Sequence, residues 1–333
     1  MKQQNDIRKM LIATQLSIQG YTQADIAKRI ELSPSMVSRL IKQAADFVNI
    51  NWDVPRVERA EVDLIEKYNL SDAIVIETGL EEYSRSIVGQ AAARYFRDHI
   101  KSGDRIALSC GETLLEMLKA IPTRPNLKIT ITQLSVEGDP QTVNQSPSTL
   151  VGLLQSKTSI DTDAIGVQLP PLADINPEDL ELDKLFRDKF AQSKMLHELK
   201  DRAQKATHIF LGVGIVSNKS RSSKNAFLRR ASKMTEGDYE KYVNRLRLVG
   251  EINNQVYDDK GRNQTSHVPG LSKAFINVLD LDEIREKTKS FPDCKVVMVA
   301  TGHQKTQAIK TALESCLSNI LITGREDADR LLK

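Results

Sequence analysis

Short apolar strands that alternate with amphipathic helices restrict the fold of this chain more than any other sequence feature. From Ser71 onward, each run of β-branched and apolar residues is followed by a helical stretch of about 10–15 residues. The predicted strands are 73–76, 105–109, 129–134, 164–169, 208–214, 295–300 and 319–323. Parallel strands need such helical crossovers, and they are apolar throughout because both faces of the sheet are covered. The pattern therefore predicts a large α/β domain with a mostly parallel, doubly wound sheet.

The first 50 residues follow a helical pattern instead. Thr22 is a good N-cap for a short helix, and apolar residues then recur every three to four positions. Ser33 and Pro34 predict the start of a second helix, because Ser caps helices and Pro is favoured at the first helical position. A short helix, a tight turn and a second helix of about three turns predict a helix-turn-helix over 22–45.

The second of these helices carries the side chains expected to enter the major groove of DNA. The residues predicted to be exposed near its start are Ser35, Met36 and Arg39, with Ser38 and Lys42 beside them. Arg39 can donate two hydrogen bonds to guanine, Ser35 can pair with several base edges, and Met36 can contact a thymine methyl group. Lys42 and Gln23 are better placed for phosphates, which position a protein without specifying sequence. The alternative is an ordinary helical hairpin with solvated charges.

The distribution of charge favours a nucleic-acid module at this end. Residues 1–50 contain seven Lys or Arg and four Asp or Glu, a balance of +3, whereas the other 283 residues contain 40 of each sign. Such a balance over 50 residues also arises by chance. A second basic stretch, 219–247, contains nine basic and three acidic residues. It either contacts an acidic partner or forms a solvated segment.

Composition excludes several classes of protein. The longest uncharged apolar run, 209–216, has eight residues, whereas a membrane helix needs roughly 20. No secretory signal is visible at the N-terminus. Three widely spaced cysteines predict neither a disulfide framework nor a zinc cluster, and they suit a reducing cytoplasm. Neither the Walker pattern nor the dinucleotide fingerprint is present, so we expect no cofactor and no metal.

Glycines and polar residues follow three of the predicted strands, at 109–113, 212–217 and 300–305. Ligands bind outside the carboxyl ends of parallel strands, so these loops predict a small-molecule site. Gly111 and Gly302 allow the backbone to approach a ligand, Thr113 begins a helix that can hold an anion, and Lys305 can bind phosphate. Glu112 is unexpected beside a phosphate. It either accepts hydroxyl groups of an unphosphorylated sugar or is a solvated carboxylate favoured at a helix start.

The order and spacing of several motifs are more specific than any one of them. These motifs are 20–27, 33–41, 106–114, 249–252, 257–261 and 299–309, with a closing segment at 321–323 and 328–332. Over nearly its whole length, the chain resembles the SorC/DeoR-type sugar-binding transcriptional regulators of bacteria. The resemblance implies an effector domain similar in fold to ribose-5-phosphate isomerases, glucosamine-6-phosphate deaminases and CoA-transferases. It also implies a commonly phosphorylated sugar effector and a tetramer that binds operator DNA.

The resemblance also implies roles for specific residues. The phosphate-holding loop of the family matches Gly111, Glu112 and Thr113. Its acidic sugar-contacting residue matches Glu251, its late lysine matches Lys305, and a further polar contact falls near Gln145. Four positions depart from the family: Cys110 stands where Trp is usual, Glu112 where Arg or a small polar residue is usual, Thr301 where Gly is usual and Gly324 where Asp is common. The stretch 217–248 is also longer and more basic than usual. These departures leave open whether the effector carries a phosphate.

Three functional hypotheses result. The first is a DNA-binding regulator controlled by a sugar, with a DNA-binding domain at 1–52, a linker helix at 53–70 and an effector and oligomerisation domain at 71–333. The second is a sugar-phosphate isomerase or deaminase with an appended DNA module, in which Glu112, Glu251, His303 and Lys305 are the scattered candidates for chemistry. The third is a DNA-binding oligomer without ligand control. We expect the first, with no catalytic residues.

Overall fold

A seven-stranded parallel sheet forms the centre of the larger part of the chain. In the computed structural model, the described residues are 9–10, 12–14, 16–17, 21–47, 55–79, 81–136, 140–169, 180–217 and 223–333. The strands are β1 (Asp72–Ile76), β2 (Arg105–Leu108), β3 (Thr130–Gln133), β4 (Asp163–Ala164), β5 (His208–Leu211), β6 (Gly214–Ile215), β7 (Leu248–Ile252), β8 (Gln255–Asp258), β9 (Lys295–Val299) and β10 (Ile320–Gly324).

The spatial order of the sheet is β1-β10-β9-β5-β2-β3-β4, with every pair parallel. The predicted parallel α/β sheet is therefore confirmed. From β2 the chain adds β3 and β4 toward one edge, and from β5 it adds β9 and β10 toward the other. The strand order thus reverses between β5 and β2, which is where a doubly wound sheet opens a crevice for a ligand.

Helices cover both faces of this sheet. The helices are α1 (Gln23–Ile30), α2 (Pro34–Phe47), α3 (Glu58–Tyr68), α4 (Glu81–His99), α5 (Glu112–Ala120), α6 (Pro147–Gln155), α7 (Leu180–Ala191), α8 (Lys194–Gln204), α9 (Ser223–Ala231), α10 (Glu236–Arg245), α11 (Leu271–Ala274), α12 (Leu281–Thr288), α13 (Thr306–Glu314) and α14 (Arg325–Leu332). Apolar side chains of α4, α5 and α6 bury one face, and those of α3, α8, α12, α13 and α14 bury the other. None of the described helices is long and apolar enough to cross a membrane.

The chain divides into two units, Met1–Asp53 and Val54–Lys333. The helix within the segment predicted as a linker, α3, packs on β1 and α14 of the larger unit. Leu64 of α3 is fully buried in the core, and the Tyr68 hydroxyl donates a hydrogen bond to the Leu331 carbonyl oxygen at 2.6 Å. Residues 47–52 alternate between apolar and polar side chains, which predicts a short strand, but they lie outside the described residues apart from Phe47, the last residue of α2.

A smaller antiparallel sheet, in the order β6-β7-β8, lies in the larger unit. Its β7–β8 hairpin turns at Asn253 and Asn254, which both have left-handed backbones, with φ of 57° and 64°. Positive φ at both central residues is typical of a tight hairpin turn, and Asn tolerates it well. The Asn253 side-chain amide donates to the Leu134 carbonyl oxygen at 2.7 Å, and that of Asn254 donates to Ser135 Oγ at 3.2 Å. These bonds fix the hairpin against the loop that follows β3.

A buried histidine, His208 at the start of the central strand β5, is expected to make stability depend on pH. Burial lowers the pKa of His208 to about 4, although the nearby Asp104 carboxylate opposes the shift. An unfolded His titrates near pH 6.5, so between these values the unfolded chain binds the additional proton. This contribution to stability is complete above about pH 6.5 and is lost as the pH falls toward 4, by about 3 kcal/mol in total.

Urea unfolding at pH 7 and at pH 4.5 tests this prediction. We expect His208→Gln to remove most of this pH dependence, and His267→Gln, which changes an exposed histidine, to retain it. An unchanged pH slope in His208→Gln would show that other groups cause the loss.

Candidate functional sites

The three glycine-containing loops meet at the carboxyl edge of the sheet. They follow β2, β5 and β9, and these strands are direct neighbours in the order β9-β5-β2. The β5 and β2 loops touch closely: a Cβ atom on Gly212 would lie 3.0 Å from the Cys110 carbonyl oxygen. The loops therefore line the crevice between β5 and β2, as the sequence pattern predicts.

The loop after β2 leads directly into α5. Gly111 has a φ of 130°, which side-chain-bearing residues rarely adopt, and no side chain caps the helix that follows. Thr113, in the first turn, is buried. Glu112, the first residue of the helix, is half-buried and forms an ion pair with Arg85 of α4. The negative charge at this helix start is thus already engaged by a cation.

The loop after β5 runs into the antiparallel sheet and brings Glu251 to the crevice. Glu251, on β7, is 5% exposed, and its carboxylate lies against Gly214, where a Cβ atom would be 2.2 Å from Oε1. Gly214 is therefore required for this close approach. The Asn254 backbone N–H donates to Glu251 Oε2 at 3.0 Å, so the hairpin turn holds this carboxylate in place.

The loop after β9 is held by a carboxylate on α14, the helix that follows the neighbouring strand β10. Asp327, on α14, accepts hydrogen bonds from Thr301 Oγ1 at 2.7 Å and from the Gly302 backbone N–H at 2.8 Å. Gly302 has a φ of 120° and begins the short 3-10 helix His303–Lys305. The Lys305 backbone N–H donates to the Gly302 carbonyl oxygen at 2.8 Å. These bonds fix the position of Lys305.

Lys305 lies at the centre of a charged cluster. Burial lowers the pKa of its ammonium group, and the nearby Arg85 lowers it further. The nearby carboxylates of Glu112, Glu251 and Asp327 raise the pKa of this group and so oppose the shift. Within the described residues, no hydrogen bond or ion pair engages the Lys305 ammonium group, so its three donors are available to a ligand.

The structure brings together most of the residues predicted to bind an effector. Gly111, Glu112, Thr113, Glu251 and Lys305 lie along the three loops or beside them. Gln145 ends a 3-10 helix, Pro140–Gln145, that contacts α5 and α6. It is half-buried, and no hydrogen bond or ion pair joins it to the other candidates in the part of the chain that is described.

Sequence analysis did not identify Arg85 or Asp327 as members of this cluster. Asp327 follows β10, the neighbour of β9, so the rule that carboxyl ends of parallel strands meet at one edge is a signal that points to it. No comparable sequence signal places Arg85, on α4, beside Glu112. His303 is exposed and pairs with Glu81, which begins α4. No group of three or more metal-ligating side chains exists among the described residues.

The smaller unit presents a separate polar surface. Thr22 Oγ1 accepts the Asp25 backbone N–H at 3.2 Å and starts α1; Ser33 Oγ accepts the Met36 backbone N–H at 3.2 Å and starts α2. The apolar residues that pack α1, α2 and the preceding helical residues are Met10, Ala13, Ile26, Ala27, Ile30, Val37 and Leu40. Of the residues predicted to contact DNA, the exposed ones are Gln23, Ser35, Met36, Arg39 and Lys42, and Ser38 is half-buried.

The basic segment at 219–247 is largely helical where it is described. Residues 223–247 contain α9 and α10, and residues 219–222 lie outside the described part. Several of its charges are already engaged: Arg229 pairs with Glu236, Lys241 with Asp238, and the Arg245 guanidinium lies 4.4 Å from the Tyr242 ring centroid. These contacts favour a solvated helical surface.

Comparisons with known proteins agree with this architecture. Residues 54–333 match the family model described as "Putative sugar-binding domain". The sorbitol operon regulator of Klebsiella pneumoniae is 25% identical over 343 residues, which cover 100% of both chains. The deoxyribonucleoside regulator of Bacillus subtilis is 23% identical over 318 residues, covering 94% of this chain and 93% of the relative. The crystal structure of the full-length sorbitol operon regulator SorC from Klebsiella pneumoniae has a TM-score of 0.68 at 23% identity, covering 98% of this chain and 99% of that one, and therefore shares the fold.

Proposed function

Because the chain belongs to the sugar-binding domain family over residues 54–333, we propose that it is a transcriptional regulator whose operator binding is controlled by a sugar or sugar phosphate. The observation that carries this proposal is the charged cluster around Lys305 at the sheet crevice, within the family's domain. Carboxylates accept hydrogen bonds from sugar hydroxyls, and the Lys305 ammonium group donates them. Gly111, Glu112, Thr113, Glu251 and Lys305 are the proposed effector contacts, with Gln145 at the margin.

The smaller unit supplies the proposed DNA contacts. The helices α1 and α2 with their three-residue turn have the proportions of a helix-turn-helix, in which the start of α2 enters the major groove. Ser35, Met36 and Arg39 would read base edges, with Ser38 beside them, whereas Gln23 and Lys42 would bind phosphates. One such unit makes too few contacts for tight specific binding, so we propose a homo-oligomer, a tetramer by family resemblance, on a symmetric operator.

A physical connection for control exists within the larger unit. Asp327 holds the β9 loop at the effector site, and it lies on α14. The other end of α14 contacts α3: Lys67 Nζ donates to the Leu331 carbonyl oxygen at 2.9 Å, beside the bond from Tyr68. A ligand that prefers one position of α14 would thereby act on α3, whose chain leads back to the smaller unit. Such coupling needs only different affinities for two arrangements.

The names of the relatives also help to decide between a regulator and an enzyme. The two relatives that match over most of their length are named as transcriptional regulators, which argues against an isomerase or deaminase. The likeness of the larger unit to ribose-5-phosphate isomerases and CoA-transferases stays a prediction. The three free cysteines suit the reducing cytoplasm, where operator DNA lies, and the proposal requires neither a metal nor a cofactor.

Selection from a random duplex library with the full chain tests the DNA-binding half of the proposal. We expect enrichment of one site with two-fold symmetric half-sites spaced by whole turns of DNA. If no sequence is enriched over several rounds at moderate salt, the chain does not read DNA in this way.

The same selected site tests the role of Arg39. We expect Arg39→Ala to lower discrimination against a changed guanine in each half-site by about 1–3 kcal/mol, because a bidentate contact to guanine is lost. Lys42→Ala, one turn away on α2, should weaken binding to all sequences alike. Fluorescence anisotropy on matched and mismatched duplexes measures both. Equal discrimination by wild type and Arg39→Ala would contradict the placement of α2 in the groove.

A further inference from the structure

The charges of the effector site indicate which class of sugar it takes. We infer that the effector is a neutral polyhydroxy compound, a sugar or sugar alcohol without phosphate, and that Glu112 is the residue that excludes phosphate. This inference rests on the proposed function, because it names the ligand class of the same site. It differs from the expectation raised by family resemblance, in which the loop at Gly111 holds a phosphate.

The start of α5 would bind an anion if Glu112 were absent. No side chain caps this helix, and its first backbone N–H groups carry the positive end of the helix dipole toward the crevice. Glu112 places a carboxylate at that position, where the dipole stabilises it. The carboxylate also engages Arg85, whose guanidinium group could otherwise form bidentate hydrogen bonds with a phosphate. The helix start and Arg85 are therefore already occupied, whereas the Lys305 ammonium group stays available to a ligand.

The carboxylates around Lys305 point in the same direction. The groups that act on Lys305 are the Arg85 guanidinium and the carboxylates of Glu112, Glu251 and Asp327, and Asp327 also pairs with Arg330. Hydrogen bonds fix two of these carboxylates: Asp327 on the β9 loop and Glu251 on the hairpin turn. A phosphomonoester carries about −1.5 to −2 charges at neutral pH and would be repelled by the carboxylates of Glu112 and Glu251. A neutral ligand is not subject to this repulsion.

The polar groups of the site can form hydrogen bonds with the hydroxyl groups of a sugar. Lys305 offers donors, whereas Glu112 and Glu251 offer acceptors, and each hydroxyl can use both kinds of partner. Ser109, directly after β2, is 1% exposed, and its hydroxyl has no hydrogen-bond partner in the structure. Side chains alternate between the two faces of a strand, so Ser109 lies on the same face of the sheet as Ala107. The apolar core on that face includes residues of β7 and α13. A buried hydroxyl without a partner is costly, and a sugar hydroxyl would satisfy it.

Inorganic phosphate is the probe that tests the exclusion directly. Calorimetric titration of the full chain uses phosphate at pH 8 and constant ionic strength, since salt screens the charges involved. We expect wild type to bind phosphate with a Kd above about 10 mM, and Glu112→Gln to bind it at least about tenfold more tightly, because Arg85 and the helix start become available. Glu116→Gln is the matched control: Glu116 lies one turn later on α5 and pairs with Lys119. It should resemble wild type, and adding Arg85→Met to Glu112→Gln should abolish most of the gain.

Two results would overturn the inference. One is phosphate binding by wild type as tight as by Glu112→Gln. The other is no gain in Glu112→Gln when its thermal unfolding matches that of wild type. This titration uses neither operator nor effector, so it is independent of the proposed function.

A paired panel of neutral sugars or sugar alcohols and their phosphomonoesters, tested on operator affinity, gives the second measurement. A neutral compound that acts more strongly than its phosphomonoester supports the inference, and the opposite order overturns it. If no compound acts, it is the proposed sugar control that fails, and the phosphate titration still decides the role of Glu112.

Discussion

Replacing Lys305 with methionine is expected to abolish the effect of the effector on operator binding and to leave operator affinity without effector unchanged. Lys305 carries the only ammonium group of the charged cluster, and within the described residues nothing engages it. Its loss removes hydrogen bonds to the ligand and leaves the carboxylates of the cluster with less compensation. The response that disappears is the coupling between the two sites, typically a factor of about 5–150 in affinity.

Lys310→Met provides the matched control. Lys310 is half-buried on α13, beyond the 3-10 helix that holds Lys305. We expect this variant to respond to the effector as wild type does, so that loss of positive charge alone is not the cause. Operator titrations by fluorescence anisotropy, with and without the effector, measure both variants. A full response in Lys305→Met would remove Lys305 from the effector site.

Leu64→Ala is expected to lower the free energy of unfolding by about 2–5 kcal/mol, because it opens a cavity in a close-packed core. Leu64 is fully buried on α3, in the core group that also contains Val75 of β1 and Leu331 of α14. This cost follows from the position of α3 within the larger unit. A solvated linker between the two units would tolerate the same change.

Val62→Ala is the control on the same helix. Val62 is 54% exposed, and we expect a change within about 0.5 kcal/mol. Urea unfolding of the full chain, followed by circular dichroism, compares the two variants. Equal and small effects would mean that α3 does not contribute to the core.

The local pattern of the sequence predicted most strands of the sheet, because parallel strands and crossover helices differ in period and length. The strand predicted at 164–169 is only Asp163–Ala164, and the one predicted at 208–214 ends at Leu211. The caps at Thr22 and Ser33 were equally predictable, since Ser and Thr have a specific role at helix starts. The charged helical pattern over 180–203 predicts one helix, whereas the structure has two, α7 and α8. Ser193 interrupts it by capping α8, with its Oγ accepting the Leu196 backbone N–H at 3.2 Å.

The candidate site was predictable as far as it depends on strand ends. Glu112 and Lys305 follow β2 and β9 closely, and sheet order brings those ends together. Arg85 reaches the site only through the packing of α4 against α5, which no local sequence signal reveals. Glu251 was identified by family resemblance alone, because it depends on an antiparallel sheet that periodicity did not indicate. Tertiary packing decides both positions.

Operator affinity of the full chain, measured with and without each member of a panel of sugars, sugar alcohols and sugar phosphates, tests the central claim most directly. A regulator controlled through the crevice between β5 and β2 must show a change in operator Kd of about 5–150-fold with at least one of these compounds. Tight, sequence-specific operator binding that no compound of the panel alters would contradict sugar control and would indicate a constitutive DNA-binding oligomer.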